Sequence, residues 1–395
     1  MIDYDKPILD ENGEPLKLAE VGMHWCIRCQ KKAKALKRVG YKVYGLGNRV
    51  PYGTDVLDNF MVYKTEEQFK RAVKDLIDLG VRGITYNNEP QMPAVWIRQV
   101  INEMGVQDRV KLVVDCHDLD SCRLKSEVIP IDEREMFLAA DALIYVSEPI
   151  RQRTERLHAL NKPTMVLYPY CNRGIIEYNK EDIPKRRGLV YEGGINPPDD
   201  ELANKTFPYR NLGWIFRRLV EMGNEVHLFC GNMTAFNTLQ FIGAVLYPPT
   251  DYDEMMKAMV NFKYGIHIFN NKEATERQVN LTMTNKLQEY LQCGLPSLAV
   301  WCRQSEDYVR RHKIGFTFDD IEDVKDTLQL ENKYYEVMEN IEQKRKELVM
   351  ENFVWSLEGL FSFLLNLPKK RIPPKIKQLY EFEYGKDNES LRYIL

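Results

Sequence analysis

No apolar run in this sequence approaches the roughly 18–20 residues that a bilayer-spanning helix requires, so no transmembrane segment is expected. The opening MIDYDKPILDENGEPLK lacks the basic and apolar regions of a secretory signal, which points to a cytoplasmic protein, with peripheral membrane association left open. Internal repeats and low-complexity stretches are missing, which excludes solenoids and arrays. Net charge is only -3, too small to argue for a protein that coats nucleic acid, although local basic patches remain allowed. The eight cysteines do not form a disulfide framework, because a cytosolic chain keeps its thiols reduced. Cys230, Cys293 and Cys302 stand singly in apolar runs, as small hydrophobes do. Cys26 and Cys29 form a CxxC after His24. Zinc and redox readings both apply there, but no second CxxC or paired-His element follows, so no metal is assigned.

What is present is enough apolar residue for two cores. The chain has 395 residues, 44% of them hydrophobic, which predicts two domains and excludes disorder. Short apolar runs alternate with helical patterns, the signature of βαβ units on parallel sheets. The first half carries about six such strands, among them the near-continuous apolar VKLVVD (110–115), as in a strand buried on both faces. Residues 171–187 are polar, charged and interrupted by proline, as an interdomain linker is. A second series runs from Gly188 to about Leu365. The expected fold is α/β, with two Rossmann-like doubly wound domains facing across a cleft. The expected boundaries are 1–170, a linker at 171–187, 188–350, and helices and a tail at 351–395 that return toward the N-terminal domain. Ligands of open α/β sheets bind beyond the carboxyl ends of the strands.

The stretch TMTNKLQEYLQCGLP (282–296) is the most informative. Thr284 can cap a helix with its hydroxyl. Asn285 and Lys286 fall in the first turn, where unpaired N–H groups and the dipole favour a phosphate, and Lys286 adds a full charge. Glu289 lies one turn deeper on the same face, and a carboxylate there can accept two hydrogen bonds from the vicinal hydroxyls of a ribose. An ordinary capped helix with a surface Lys–Glu pair is the plain alternative. The long preceding loop, Asn270–Met283, favours the ligand reading. Gly193-Gly194 follows a strand and lets backbone approach a ligand closely. Arg210, near the next helix, is either further phosphate charge or a solvated arginine.

Four segments together resemble the GT-B glycosyltransferases, specifically the family-4-like group, over roughly residues 20–365. LVYEGGINP resembles the first strand and glycine loop of their nucleotide domain, and YRNLGWIFRRLVEMGNEVHLFCGN the helix and strand that follow. TNKLQEYLQCGLPSLAV resembles their "NKLFEYLAAGLPVVA" segment, and AADALIYVSEPIRQRTERL their "ADAVVTVSE" run. The resemblance implies that Glu289 holds the ribose. Asn285, Lys286 and the loop at Gly194 hold the diphosphate, and the strand after Phe241 lies near the nucleobase. It implies no cofactor beyond a nucleotide-sugar co-substrate, expected to be a UDP-sugar, and a hydroxyl acceptor that is a saccharide, lipid-linked or another small molecule. Two positions depart from the pattern. Leu281 stands eight residues before Glu289, where many members carry an acid. The first acceptor-domain loop reads Gly22-Met23-His24-Trp25, where a Gly-Gly is usual.

Glycosyl transfer needs a group to take or orient the acceptor's proton and charge to meet the departing diphosphate. Lys286 and the helix end can supply the second without a metal. For the first, His24 lies in the loop where several inverting GT-B enzymes carry a catalytic histidine, and His117-Asp118 follows a buried strand. His117 can instead bind the donor sugar, as in the retaining enzymes. Lys31, Lys32, Lys34, Lys37 and Arg38 crowd the first helix, with further groups at Arg151, Arg153, Arg156 and Lys185–Arg187. A solvated face is the usual explanation. A phosphate-bearing acceptor, such as hydroxylated bases in DNA for a viral-type enzyme, is the sharper one. A sugar-nucleotide epimerase and an inactive GT-B binding module are the remaining alternatives.

Overall fold

The computed structural model describes residues 6–50, 53–123, 129–388 and 392–393. The first five residues of the acidic N-terminus and part of the acidic tail lie outside them. The chain divides into two compact units, Met1–Asn172 with Val349–Leu395, and Arg173–Leu348.

The first unit holds a seven-stranded parallel sheet in the order β3-β2-β1-β4-β5-β6-β7. Its strands are β1 (Lys17–Val21), β2 (Lys42–Gly47), β3 (Asn59–Val62), β4 (Val81–Asn87), β5 (Lys111–Cys116), β6 (Ala142–Tyr145) and β7 (Thr164–Val166). The strand order reverses between β1 and β4, which makes that edge the switch point where ligands of doubly wound sheets sit. β5 is buried from Leu112 to Cys116. The strand beyond the expected six is β3, a partly exposed edge strand without a period-2 pattern. Helix Met350–Leu364 packs on helix Ile27–Val39 through Arg38–Glu351 and through the Tyr41 hydroxyl, which donates to Glu358 at 2.6 Å. Helix Pro374–Tyr384 continues the layer, Tyr380 Oη accepting the Ser356 N–H at 3.0 Å.

The second unit holds a six-stranded parallel sheet in the order β10-β9-β8-β11-β12-β13. Its strands are β8 (Arg187–Gly193), β9 (Val226–Cys230), β10 (Val245–Tyr247), β11 (Phe262–Ile268), β12 (Ser297–Val300) and β13 (Gly315–Phe318). Here the order reverses between β8 and β11. Residues 173–187 pack inside this unit and do not form a free linker. Arg186 is buried, donates to the Gly294 carbonyl at 2.6 Å, and lies over the Tyr178 ring. The stretch read as a long loop, Asn270–Met283, carries the short helix Arg277–Leu281, and a second short helix, Glu201–Thr206, follows the Gly193-Gly194 turn.

Helix Asn285–Gln292 follows β11 and buries Leu287, Tyr290 and Leu291. It lies so close to β11 that a Cβ on Gly265 would meet the Tyr290 ring at 2.3 Å. The Tyr290 hydroxyl donates to the Ile266 carbonyl at 3.1 Å and accepts the Glu192 N–H at 3.4 Å. One side chain thereby ties the helix to both strands at the switch point.

Candidate functional site

The carboxyl ends of β8 and β11 bring two cations onto one glycine loop. Gly193 has φ 123°, in the left-handed region that glycine alone enters freely. A Cβ there would lie 2.7 Å from the Lys286 ammonium, and one on Gly194 would lie 3.2 Å from the Arg210 guanidinium. The Lys286 Nζ also sits 5.3 Å from the centre of the Tyr191 ring and 5.6 Å from that of Phe269. Burial works against its charge, but Tyr191 and Glu192 outweigh burial and the opposing Arg210, so its pKa is raised. Gly193, Gly194, Arg210 and Lys286 therefore converge in one place, and Asn285 precedes Lys286 in the first turn of an eight-residue helix. Glu289 is 2% exposed. This rules out a surface Lys–Glu pair and puts the carboxylate inside the unit, where its charge reaches Lys286.

Thr284 occupies the expected cap position but does not cap. No side-chain bond to the helix forms, because its Oγ1 lies 2.6 Å from Nε2 of His267. His267 is fully buried in β11, and its Nδ1 is 3.0 Å from the Cys302 Sγ. Burial, then the charge of Lys286, pulls its pKa down to about 3, so the ring is neutral near pH 7. The Thr284 hydroxyl, turned toward His267, makes no cap bond to the first turn of a helix whose start favours an anion. The sequence offered no signal for this: His267 lies in an apolar strand run and reads as core.

In the first unit, His24, His117 and Asp118 gather at the ends of β1 and β5. His24 is exposed and His117 half-buried. The His117 Nε2 lies 4.0 Å from Asp118 Oδ2, and the Asp118 carboxylate is held by Arg123 at 3.0 Å. Arg123 also pairs with Glu89, at the end of β4. Burial of Glu89 opposes its charge, but Arg123, with His117 and His24 adding, keeps its pKa below the ordinary value. Glu89 and Arg123 were missed because each reads as a solvated residue until β4 and β5 are paired. Among the described residues no group of three or more His, Cys, Asp or Glu side chains could hold a metal ion.

The basic run of the first helix is not a free cationic face. Lys31 and Lys32 are fully buried, as is Arg28. Asp115 accepts from Arg28 at 2.8 Å and from Lys32 at 2.6 Å, and Lys32 also pairs with Glu20 at 3.1 Å. Lys31 donates to the Pro169 carbonyl, Lys37 pairs with Asp58, and Arg38 with Glu351. Arg151 is held by Glu148 and Glu155, and Lys185 by Asp182. Of the cations on that helix, Arg28, Lys31 and Lys32 are spent inside the fold, whereas the paired Lys37 and Arg38 stay partly exposed.

Residues 246–357 match the family model described as Glucosyltransferase 3-like, C-terminal domain. That segment includes helix Asn285–Gln292. No curated protein sequence matches the chain. Among solved structures, a glycosyltransferase from Rickettsia africae ESF-5 superposes with a TM-score of 0.60 at 9% identity, covering 89% of this chain and 98% of that one. AviGT4, a glycosyltransferase involved in avilamycin A biosynthesis, gives 0.55 at 10% identity with the same coverage. At such identities the likeness shows the fold, which is GT-B. Residues 246–357, most of them in the second unit, therefore form a glucosyltransferase-type C-terminal domain within that fold.

Proposed function

We propose that the chain transfers a sugar from a nucleoside diphosphate donor, UDP-linked, to a hydroxyl acceptor, and needs no resident metal to do so. The observation that carries this reading is the convergence of Lys286 and Arg210 on the Gly193–Gly194 loop. In the reaction the bond from the anomeric carbon to the diphosphate breaks and its electrons leave with the diphosphate. The two cations and the first-turn amides of helix Asn285–Gln292 meet that charge, work otherwise done by a divalent ion. Asn285 orients the diphosphate, and Glu289 accepts from the ribose hydroxyls. The acceptor's proton goes to His117 or His24. Asp118, already bound by Arg123, serves as a fixed negative charge. The acceptor class is a saccharide, a lipid-linked sugar or another small hydroxyl compound.

The test is incubation of the chain with a panel of sugar nucleotides, with and without acceptors. Free nucleoside diphosphate together with a glycosylated acceptor is the expected outcome. A changed sugar still joined to its nucleotide would replace this reading by epimerisation, and binding without turnover would replace it by a binding module.

A further inference from the structure

The Cys26–Cys29 pair takes no part in glycosyl transfer as described above, and its placement sets it apart from the other thiols. Cys26 occupies the N-cap position of helix Ile27–Val39, and Cys29 lies one turn on. Their sulfurs are 3.6 Å apart, and the Cys29 N–H donates to the Cys26 carbonyl at 3.0 Å. Of the eight cysteines, Cys26 alone is not buried. A disulfide needs its sulfurs at about 2.05 Å with Cα atoms roughly 4.4–6.8 Å apart, and side-chain rotation within one helical turn closes the remaining gap.

The two thiols are also chemically unequal. The hydrogen bond from Cys29, helped by the charge of His117 and by the Arg28 and Cys29 amides, holds the Cys26 thiol well below its ordinary range against the opposing effect of its partial burial. Burial pushes Cys29 well above that range, as it does Cys116 and Cys302. Thiolates at helix starts beside a histidine are the reactive ones.

We propose that Cys26 and Cys29 are a thiol–disulfide exchange site that reacts with small disulfides such as oxidised glutathione, Cys26 attacking and Cys29 resolving. The Cys26 thiolate attacks one sulfur of oxidised glutathione, whose S–S bond breaks and releases one glutathione thiolate. Cys29 gives up its proton and attacks the Cys26 Sγ, forming the intramolecular bridge and expelling the second glutathione thiolate. The two cysteines lose two electrons, oxidised glutathione gains them, and the two cysteine protons end on the two glutathione thiols. Helix position and a close sulfur pair also occur in inert packing, so the order of reaction is what separates the two cases.

The full chain is equilibrated near neutral pH with graded ratios of oxidised to reduced glutathione, quenched with acid, alkylated and mapped by mass spectrometry. The expected result is loss of two hydrogens confined to the peptide carrying residues 26 and 29, with the other six thiols still alkylated and dithiothreitol restoring the reduced form. Cys29→Ser is expected to stop at a single glutathionyl adduct on Cys26, and Cys26→Ser to leave Cys29 unmodified. Failure of the folded wild-type chain to form the bridge in excess oxidised glutathione overturns the proposal. So does modification of Cys29 in Cys26→Ser as fast as of Cys26 in Cys29→Ser. The bridge is expected to form equally in Lys286→Ala, so this outcome does not depend on the donor assignment.

Discussion

Lys286 is an ammonium placed against a glycine with no side chain to fend it off, and Arg210 does the same one residue further on. Charge-assisted hydrogen bonds to a diphosphate are worth about 1.5–3 kcal/mol. Lys286→Ala is therefore expected to weaken UDP binding roughly 10- to 150-fold by calorimetry. Glu289→Gln keeps the volume of a buried side chain, and it should weaken UDP more than uracil or inorganic diphosphate, because only UDP presents ribose hydroxyls. Equal loss for all three ligands would remove the ribose assignment. His267 makes a separate claim about pH. Its folded pKa of about 3 lies below the unfolded value of about 6.5. Its share of stability is complete above the unfolded value and is lost as pH falls from there toward 3. Between pH 7 and pH 5 the wild-type chain should lose about 2 kcal/mol more than His267→Gln, measured by urea unfolding at each pH. A pH-independent difference between the two would mean that the fold does not depress the His267 pKa.

At the scale of elements, two helices are anchored by contacts that no local pattern announces. Helix Asn285–Gln292 is seated by the absence of a Cβ on Gly265 beneath Tyr290. Gly265→Ala overpacks that contact and is expected to cost about 1–3 kcal/mol, seen in thermal unfolding. It should also cost UDP affinity, because the helix start moves with the ring. Helix Ile27–Val39 is anchored by Asp115, whose carboxyl stays well below the usual range because Arg28 and Lys32 outweigh its burial. Asp115→Asn leaves two buried cations undercompensated and should destabilise the chain by about 3–5 kcal/mol. Within the basic run of the first helix, Lys31 and Lys32 were misjudged for this reason. The run's partners Glu20, Asp115 and Glu351 lie on other strands and helices, so the sequence showed the charges and hid their neutralisation. The Thr284 cap failed in the same way, since its hydroxyl is claimed by a histidine 17 residues earlier in the chain.

For the whole molecule, two parallel sheets with their own reversal points give each unit a place to bind. No helix among the described residues is long and apolar enough to cross a membrane. If the nucleotide belongs to the second unit, UDP at about 100 times its Kd adds about 2.7 kcal/mol to stability. Hydrogen exchange should then slow at Gly193–Gly194 and at the start of helix Asn285–Gln292. Protection appearing first at the loops after β1 and β5 would reverse the assignment of the two units.

Strand and helix periods and the Lys286–Glu289 spacing were determined by the sequence alone. Each depends on residues within a turn or two of one another, and backbone geometry converts such spacing directly into a face. The tertiary structure alone decided which charges stay available. It withdrew Arg28 and Lys32 into an ion network and Lys31 onto the Pro169 carbonyl, withdrew the Thr284 hydroxyl to His267, and brought Lys286 and Arg210 to one glycine loop. The cost of burying a charge or hydroxyl is met only by a partner, and in this chain those partners come from distant strands whose pairing no local pattern records.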